Sequence, residues 1–236
     1  AKIINNWVKD RTNGKIGKLI EDQINANTLM FLINALYFKG DWANKFDPSL
    51  TQEVPFILAD GTQKNCSMMF QSGRYSYFKG DSFQAVSLPY GKGRISMVII
   101  LPDEGVSLKD LRQSINLENW KTWMNSLSET EGEIGLPKFK VEYEAKMEKA
   151  LENLGMGVAF DAEKANFGKM YPVDPNYNLY IGSIKHKAFV EINEEGTEAS
   201  GAASVEMMTK GIPLDRFRMV VDRPFVFVIC DNLTGV

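Results

Sequence analysis

The chain has 236 residues, of which 44% are hydrophobic and 24% are charged, and its net charge is −3. A chain of this length and composition folds as a globular protein with one large core or two small ones. Its Lys and Arg residues are scattered without forming a basic stripe, and its longest apolar runs are only as long as a strand. We therefore expect neither a nucleic acid nor a membrane as a partner.

The first 42 residues predict two helices and a strand. The first helix is indicated by four apolar residues on one face: Ile3, Ile4, Trp7 and Val8. A second, shorter helix is indicated by Ile16, Leu19, Ile20 and Ile24. The apolar and aromatic run Leu29–Phe38 predicts a strand buried on both faces, and Trp42 follows it as a core aromatic residue.

Short antiparallel strands are predicted from Thr51 to Leu101, because turn residues interrupt the sequence at regular intervals. The turns are placed at Gly61, Gly73, Gly80, Gly91 and Gly93. Two helices, Leu108–Ile115 and Leu117–Leu127, precede a predicted strand at Glu131–Val141.

A further helix has Met147, Leu151 and Leu154 on one face, and we expect Gly155 to end it. A loop is predicted at Asn166–Asn178. Leu179–Glu195 then predicts a second long strand. Two more strands are predicted near the end of the sequence, at Phe217–Val221 and Phe225–Cys230.

The stretch after Glu195 has an unusual composition, since every side chain from Gly196 to Ser204 except Glu198 is small. Such residues bury little apolar area, so an exposed loop is the first expectation. The alternation of the segment nevertheless fits a half-buried strand, with one side formed by Thr197, Ala199, Gly201, Ala203, Val205 and Met207. The segment also contains no Pro that would remove a backbone donor. We therefore expect a segment suited to entering an existing sheet.

Several motifs resemble landmarks of the serpins, a family of suicide protease inhibitors, and they occur in serpin order. The hinge motif of that family resembles residues 189–199, Phe-Val-Glu-Ile-Asn-Glu-Glu-Gly-Thr-Glu-Ala. Further landmarks resemble Asn34-Ala-Leu-Tyr-Phe-Lys-Gly-Asp-Trp42 with Phe46 and Thr51, Leu88-Pro-Tyr90, Leu101-Pro-Asp-Glu-Gly105, Leu136-Pro-Lys-Phe139, Leu154-Gly-Met156 and Asp222-Arg-Pro-Phe225. Ordered landmarks along the whole chain are much more specific than one short motif.

The resemblance implies an α+β serpin fold with a large mixed or antiparallel central sheet, further antiparallel sheets, flanking helices and an exposed reactive-centre loop. By this resemblance, residues 1–236 are expected to form one partial serpin domain. The parts are a helix and central strand (1–38), the remaining sheets (39–178), a central strand (179–195), the loop (196–213) and the last strands (214–236). Compared with a serpin, the N-terminal third and the last strand are expected to be missing.

The resemblance also implies how the loop acts. A protease cleaves it, the loop inserts as a strand between Leu29–Phe38 and the strand ending at Glu195, and the acyl-enzyme is trapped. The implied hinge residues are Glu194, Glu195, Gly196, Thr197, Glu198, Ala199, Ser200, Gly201, Ala202 and Ala203. The residues implied at the opening of the sheet are Asn34, Trp42 and His186.

Counting along the family pattern places the reactive bond between Lys210 and Gly211. A Lys before the bond favours a trypsin-like serine protease as the partner. The segment is about three residues longer than is usual in the family, so Met207, Met208 and Thr209 remain alternatives, as does a purely solvated role for Lys210. The resemblance favours an extracellular monomer, with a cytoplasmic location and completion by a separate N-terminal segment as alternatives.

An enzyme is not expected, because His186 is the only histidine and no nucleophile-elbow motif is present. The sequence has no Walker loop, dinucleotide fingerprint or zinc-type Cys/His spacing, so we expect no cofactor and no metal. Cys66 and Cys230 are predicted to be two separate thiols. The alternative function is that of a non-inhibitory carrier or chaperone with a serpin fold.

Overall fold

The structure is a computed structural model that describes residues 1–23, 31–170, 178–197 and 216–235. The helices are α1 (Lys2–Arg11), α2 (Leu108–Ser114), α3 (Leu117–Ser126), α4 (Glu148–Leu151) and α5 (Gly157–Phe160). The strands are β1 (Leu32–Tyr37), β2 (Gly40–Asp41), β3 (Gln52–Ile57), β4 (Gln63–Lys79), β5 (Phe83–Tyr90), β6 (Ile95–Pro102), β7 (Ser128–Pro137), β8 (Phe139–Lys146), β9 (Ile184–Asn193), β10 (Gly196–Thr197), β11 (Phe217–Val220) and β12 (Val226–Asp231). They form two compact units, one of Ala1–Phe38 with Lys140–Val190 and one of Lys39–Phe139 with Glu191–Val236.

The first unit has α1 packed on strands β1 and β9. Its buried core consists of Val8, Ile16, Leu19 and Phe189, and Ile33, Ala35 and Tyr37 of β1 pack against it. The predicted apolar face of α1 is partly wrong, because Ile3 is 85% exposed and Trp7 is 53% exposed.

The predicted second helix is also wrong for residues 12–23, which form turns and extended chain. The side chain of Asn5 explains this, because it takes the backbone groups that a helix would use. Its Oδ1 accepts hydrogen bonds from the amides of Leu19 and Ile20, both at 2.9 Å, and its Nδ2 donates to the carbonyl of Ile20 at 2.7 Å. Ile24 and the first residues of the predicted strand lie outside the described residues.

Strand β1 begins later than predicted and is not buried on both faces. Its exposure alternates, with Leu32 and Leu36 about half exposed, because only one of its faces packs against the core below α1. Strand β9 likewise begins at Ile184, five residues after the predicted start, and ends at Asn193.

The second unit contains a seven-stranded sheet with the order β11-β7-β4-β5-β6-β12, and β3 pairs with β4. The β11–β7 pair is parallel and the other pairs are antiparallel. Helices α2 and α3 cover one part of this sheet, where Leu111 and Trp123 pack against Phe83 and Val98. This is the predicted α+β organisation, and β11 and β12 belong to the same sheet.

Two further predicted boundaries differ from the structure, and a third agrees with it. Strand β4 continues through Gly73, because the ring of Tyr75 packs over this glycine and fills the space beside it. The predicted strand Glu131–Val141 is two strands, which are separated at Lys138. Gly155 ends the helical stretch that begins at Glu148, as predicted, because its φ of 98° is left-handed and interrupts the helix, and α5 begins two residues later.

Candidate functional site

The chain reverses direction between β9 and β10, and we call Asn193–Thr197 the hinge hairpin. Gly196 pairs with Asn193 and Thr197 pairs with Ile192, in antiparallel register. The side chain of Asn193 stabilises the turn, since its Oδ1 accepts from the amides of Glu195 (3.0 Å) and Gly196 (3.3 Å). A short polar residue at the strand end therefore fixes the turn locally.

Strand β10 occupies a position inside a sheet, with a neighbour on each side. It pairs with the end of β9 on one edge and with β2 on the other, where Gly196 lies opposite Asp41 and Thr197 opposite Gly40. Gly196 has φ = 141°, and a Cβ atom there would lie 2.7 Å from both Asp41 Cα and Trp42 N. Because those neighbours are backbone atoms, only glycine fits at position 196.

The three carbonyl groups of the turn are all bound by one segment that follows β2. The indole Nε1 of Trp42 donates to the carbonyl of Asn193 at 2.9 Å, and the Trp42 amide donates to that of Glu195 at 3.0 Å. The amide of Phe46 donates to the carbonyl of Glu194 at 3.0 Å. The hairpin is therefore held by its backbone as well as by its side chains.

Glu194 is a buried carboxylate with two partners. Thr51 Oγ1 donates to it at 2.9 Å, and Lys138 Nζ lies 2.9 Å from its Oε2. Burial alone would raise the pKa of Glu194, but the hydrogen bonds from Lys138, from its own backbone amide and from Thr51 outweigh burial and hold the pKa below its usual value. A lowered pKa means that this carboxylate stabilises the fold above the ordinary Glu range and loses that contribution as the pH falls through the lowered value.

Glu195 forms an ion pair with Lys45, and both side chains are largely buried. Lys45 lies between Trp42 and Phe46, the residues that bind the carbonyls of the turn. Both acidic residues of the hinge hairpin are thus matched by a lysine from elsewhere in the second unit.

Thr197 is fully buried, and its hydroxyl lies 2.8 Å from the hydroxyl of Tyr90. The ring of Tyr90 stacks on the ring of Trp42, with ring centroids 4.4 Å apart. The ring of Phe46 packs edge-on against the ring of Trp42. Burial raises the pKa of Tyr90 well above its ordinary value, so its hydroxyl stays protonated at neutral pH.

In the first unit, β1 and β9 pair directly and in parallel over six positions, from Leu32 opposite Ile184 to Tyr37 opposite Phe189. We call this contact the seam. Asn34 and His186 lie opposite each other in its middle. Strand β1 has no charged side chain, so no ion pair crosses the seam, and parallel pairs are slightly weaker per residue than antiparallel ones.

The β8 side of β9 contains ion pairs. Lys187 Nζ lies 2.7 Å from Glu142 and 3.7 Å from Glu144, and Lys185 lies 3.7 Å from Glu144. Lys187 is only 13% exposed, so solvent screens these pairs less than it screens ordinary surface pairs. The β8 edge of β9 therefore has ion pairs that the seam lacks.

The structure describes only part of the predicted site. Glu194, Glu195, Gly196 and Thr197 lie in the hinge hairpin, whereas Glu198–Ala203 and the predicted bond Lys210–Gly211 lie outside the described residues. Asn34 and His186 meet at the seam, and Trp42 lies in the second unit against the hinge hairpin.

Four residues of the site were not predicted as such: Lys45, Thr51, Tyr90 and Lys138. They lie between 56 and 150 residues from their partners in the sequence. No local spacing could have indicated them, although opposite charges made the two lysines plausible partners of Glu194 and Glu195.

The described residues also answer the predictions on cysteines, metals and membrane spans. Cys66 and Cys230 are free and half-buried, as predicted. In the described ranges, no group of three or more His, Cys, Asp or Glu residues is arranged to hold a metal ion. No helix in that part of the chain is long and apolar enough to span a membrane.

The comparisons with known proteins agree with this fold. The family model described as Serpin (serine protease inhibitor) matches residues 1–236, and the chain belongs to the serpin family. That family description is of an inhibitor and not of an enzyme, as predicted. The leukocyte elastase inhibitor of Xenopus laevis is 36% identical over 240 residues, which cover 99% of this chain and 62% of the relative.

Solved structures give the same result. A thermophilic serpin, tengpin, in its native state has a TM-score of 0.89 and 35% identity, covering 99% of this chain and 59% of that one. Thyroxine-binding globulin in complex with thyroxine has a TM-score of 0.85 and 26% identity, covering 99% and 62%. The predicted fold class is confirmed, and the chain spans about three fifths of the length of the relatives that it matches.

Proposed function

We propose that the full-length protein inhibits a serine protease as a suicide substrate. The observation that supports this most is the position of β10, whose two residues already lie between the end of β9 and β2. A strand that continues from Thr197 would next have to separate β1 from β9. The protease would be carried along as an acyl-enzyme, and a displacement of its catalytic groups by roughly 1 Å can cost about 100-fold in rate.

The small side chains after Thr197 support this proposal. Each residue that enters a sheet gains a net hydrogen-bond contribution of about 0.5–1.5 kcal/mol. Ordering its backbone costs about 1–2 kcal/mol, so the two nearly cancel. The driving force must come from repacking of the sheet, and small residues at Ala199, Gly201 and Ala203 would keep the entry of the strand free of steric cost.

The proposed reactive bond is Lys210–Gly211, and the proposed target is a trypsin-like protease acting on the monomer. Mixing the full-length protein with trypsin should give a covalent complex that survives boiling in detergent. An elastase-type protease serves as the control, since it prefers a small residue before the bond. A complex with elastase and none with trypsin would mean that the reactive bond does not follow Lys210. Cleavage by both proteases without any complex would contradict inhibition.

A non-inhibitory carrier is the second candidate, and the likeness to thyroxine-binding globulin favours it. The hinge residues favour inhibition instead, because Gly196–Ala203 contain no Pro and, apart from Glu198, only small side chains. The same protease experiment separates the two, since a carrier would be cleaved as an ordinary substrate.

A further inference from the structure

The fully buried hydroxyl pair between Thr197 and Tyr90 is the feature of the hinge hairpin that backbone pairing does not explain. Thr197 is the last described residue of β10, and Tyr90 is its hydroxyl partner at 2.8 Å among the described residues. A buried hydroxyl that loses its partner is costly, whereas an apolar side chain of the same shape would need none. A Val at position 197 would fill the same space and would need no hydrogen-bond partner. The hydrogen bond with Tyr90 therefore favours a residue with a hydroxyl group at this position.

The position of Tyr90 is itself fixed by the segment that binds the hairpin. Its ring stacks on Trp42 with an interplanar angle of 11°, and the two residues also form an isolated antiparallel bridge. The neighbouring backbone is bonded to the same segment, through Ala43 N to Pro89 O and Gly91 N to Asp41 O, both at 2.8 Å. The Tyr90 hydroxyl is therefore presented to β10 at a rigid location.

We propose that Tyr90 is a positioning residue of the hinge, whose hydroxyl anchors Thr197 in the sheet before any protease arrives. This rests on the proposed function. The anchor keeps the first two residues of the loop inserted, so that after cleavage the strand extends from a start that already exists. Without this anchor, the hinge hairpin leaves the sheet more often and insertion after cleavage is slower. More of the acyl-enzyme is then hydrolysed before insertion can trap it.

The test uses Tyr90→Phe in the full-length protein, which removes the hydroxyl and keeps the ring stacked on Trp42. We expect amide hydrogen exchange at Trp42 and at residues 193–197 to become about tenfold faster, which corresponds to about 1.4 kcal/mol. The number of inhibitor molecules consumed per protease trapped should rise. The double variant Tyr90→Phe with Thr197→Val replaces both hydroxyls by apolar groups and should return exchange to nearly the original rate.

Two controls exclude a general loss of stability. Tyr77→Phe removes another tyrosine hydroxyl of the second unit, which bonds to Gln84 at 3.0 Å, and should leave exchange at the hinge unchanged. Thr197→Ser keeps the hydroxyl and should keep the slow exchange. Unchanged exchange in Tyr90→Phe, or fast exchange that the double variant does not reverse, would overturn the proposal. If the unmodified protein traps no protease, the proposed function fails, while the exchange rates still decide the role of Tyr90.

Discussion

We expect the Gly196→Ala variant to be cleaved by the target protease mainly as a substrate and to trap it only rarely. The added Cβ would lie 2.7 Å from the backbone of Asp41 and Trp42 and would overlap the carbonyl oxygen of Gly40, and φ = 141° is itself strained for alanine. Since backbone atoms cannot move away at low cost, β10 would leave its place between β9 and β2. At least about ten molecules of the variant should be consumed for each protease trapped. The reason is that the substitution disfavours the inserted position of β10, from which insertion starts, by more than about 1.4 kcal/mol.

Gly182→Ala is the matched control for this substitution. A Cβ at Gly182 would meet no atom within 4 Å, and the residue does not have a left-handed backbone. Its inhibition should therefore be unchanged. Wild-type trapping efficiency in Gly196→Ala would show that the position of β10 does not matter for inhibition.

A second large effect is expected from locking the seam. Leu36 and Ala188 are opposite each other in β1 and β9, so a disulfide between cysteines at these two positions would join the strands directly. Neighbouring strands lie about 4.8 Å apart, which is within the range of about 4.4–6.8 Å between the Cα atoms of a disulfide. In a background without Cys66 and Cys230, oxidised Leu36→Cys/Ala188→Cys should be cleaved but should form no stable complex, and reduction should restore the complex.

The other edge of β9 provides the control for the lock. In the control variant, a disulfide between cysteines at positions 142 and 187 takes the place of the ion pair between Glu142 and Lys187. This disulfide joins β8 to β9, two strands that stay paired in the proposed mechanism. This variant should trap the protease in both redox states. Trapping by the oxidised seam variant would mean that β1 and β9 need not separate.

The sequence predicted those elements that local patterns determine. Helices α2 and α3 begin where Ser107 and Asn116 cap them through side-chain hydrogen bonds, and both were placed within one residue of their bounds. Residues 12–23 were assigned wrongly, because a tertiary contact from Asn5 overrides an apolar pattern that looks helical. The prediction succeeded where the interactions are local and failed where a distant side chain decides.

The candidate site shows the same division. The acidic residues and glycine of the hinge hairpin were identified by resemblance, because they lie in one continuous motif. Lys45, the partner of Glu195, and Tyr90, the partner of Thr197, come from other parts of the second unit, and nothing in the spacing of the sequence relates them to the hinge. The close approach of Gly40 and Asp41 that requires Gly196 also becomes visible only once the strands are paired.

The separation of β1 and β9 after cleavage of the loop tests the central claim most directly. In the structure Asn34 lies opposite His186, one strand spacing away, or about 4.8 Å. A structure of the full-length protein cleaved near Lys210 should show their Cα atoms about two strand spacings apart, or roughly 9.6 Å, with the residues after Thr197 paired between them. An unchanged register of Asn34 opposite His186 in the cleaved protein would contradict the account.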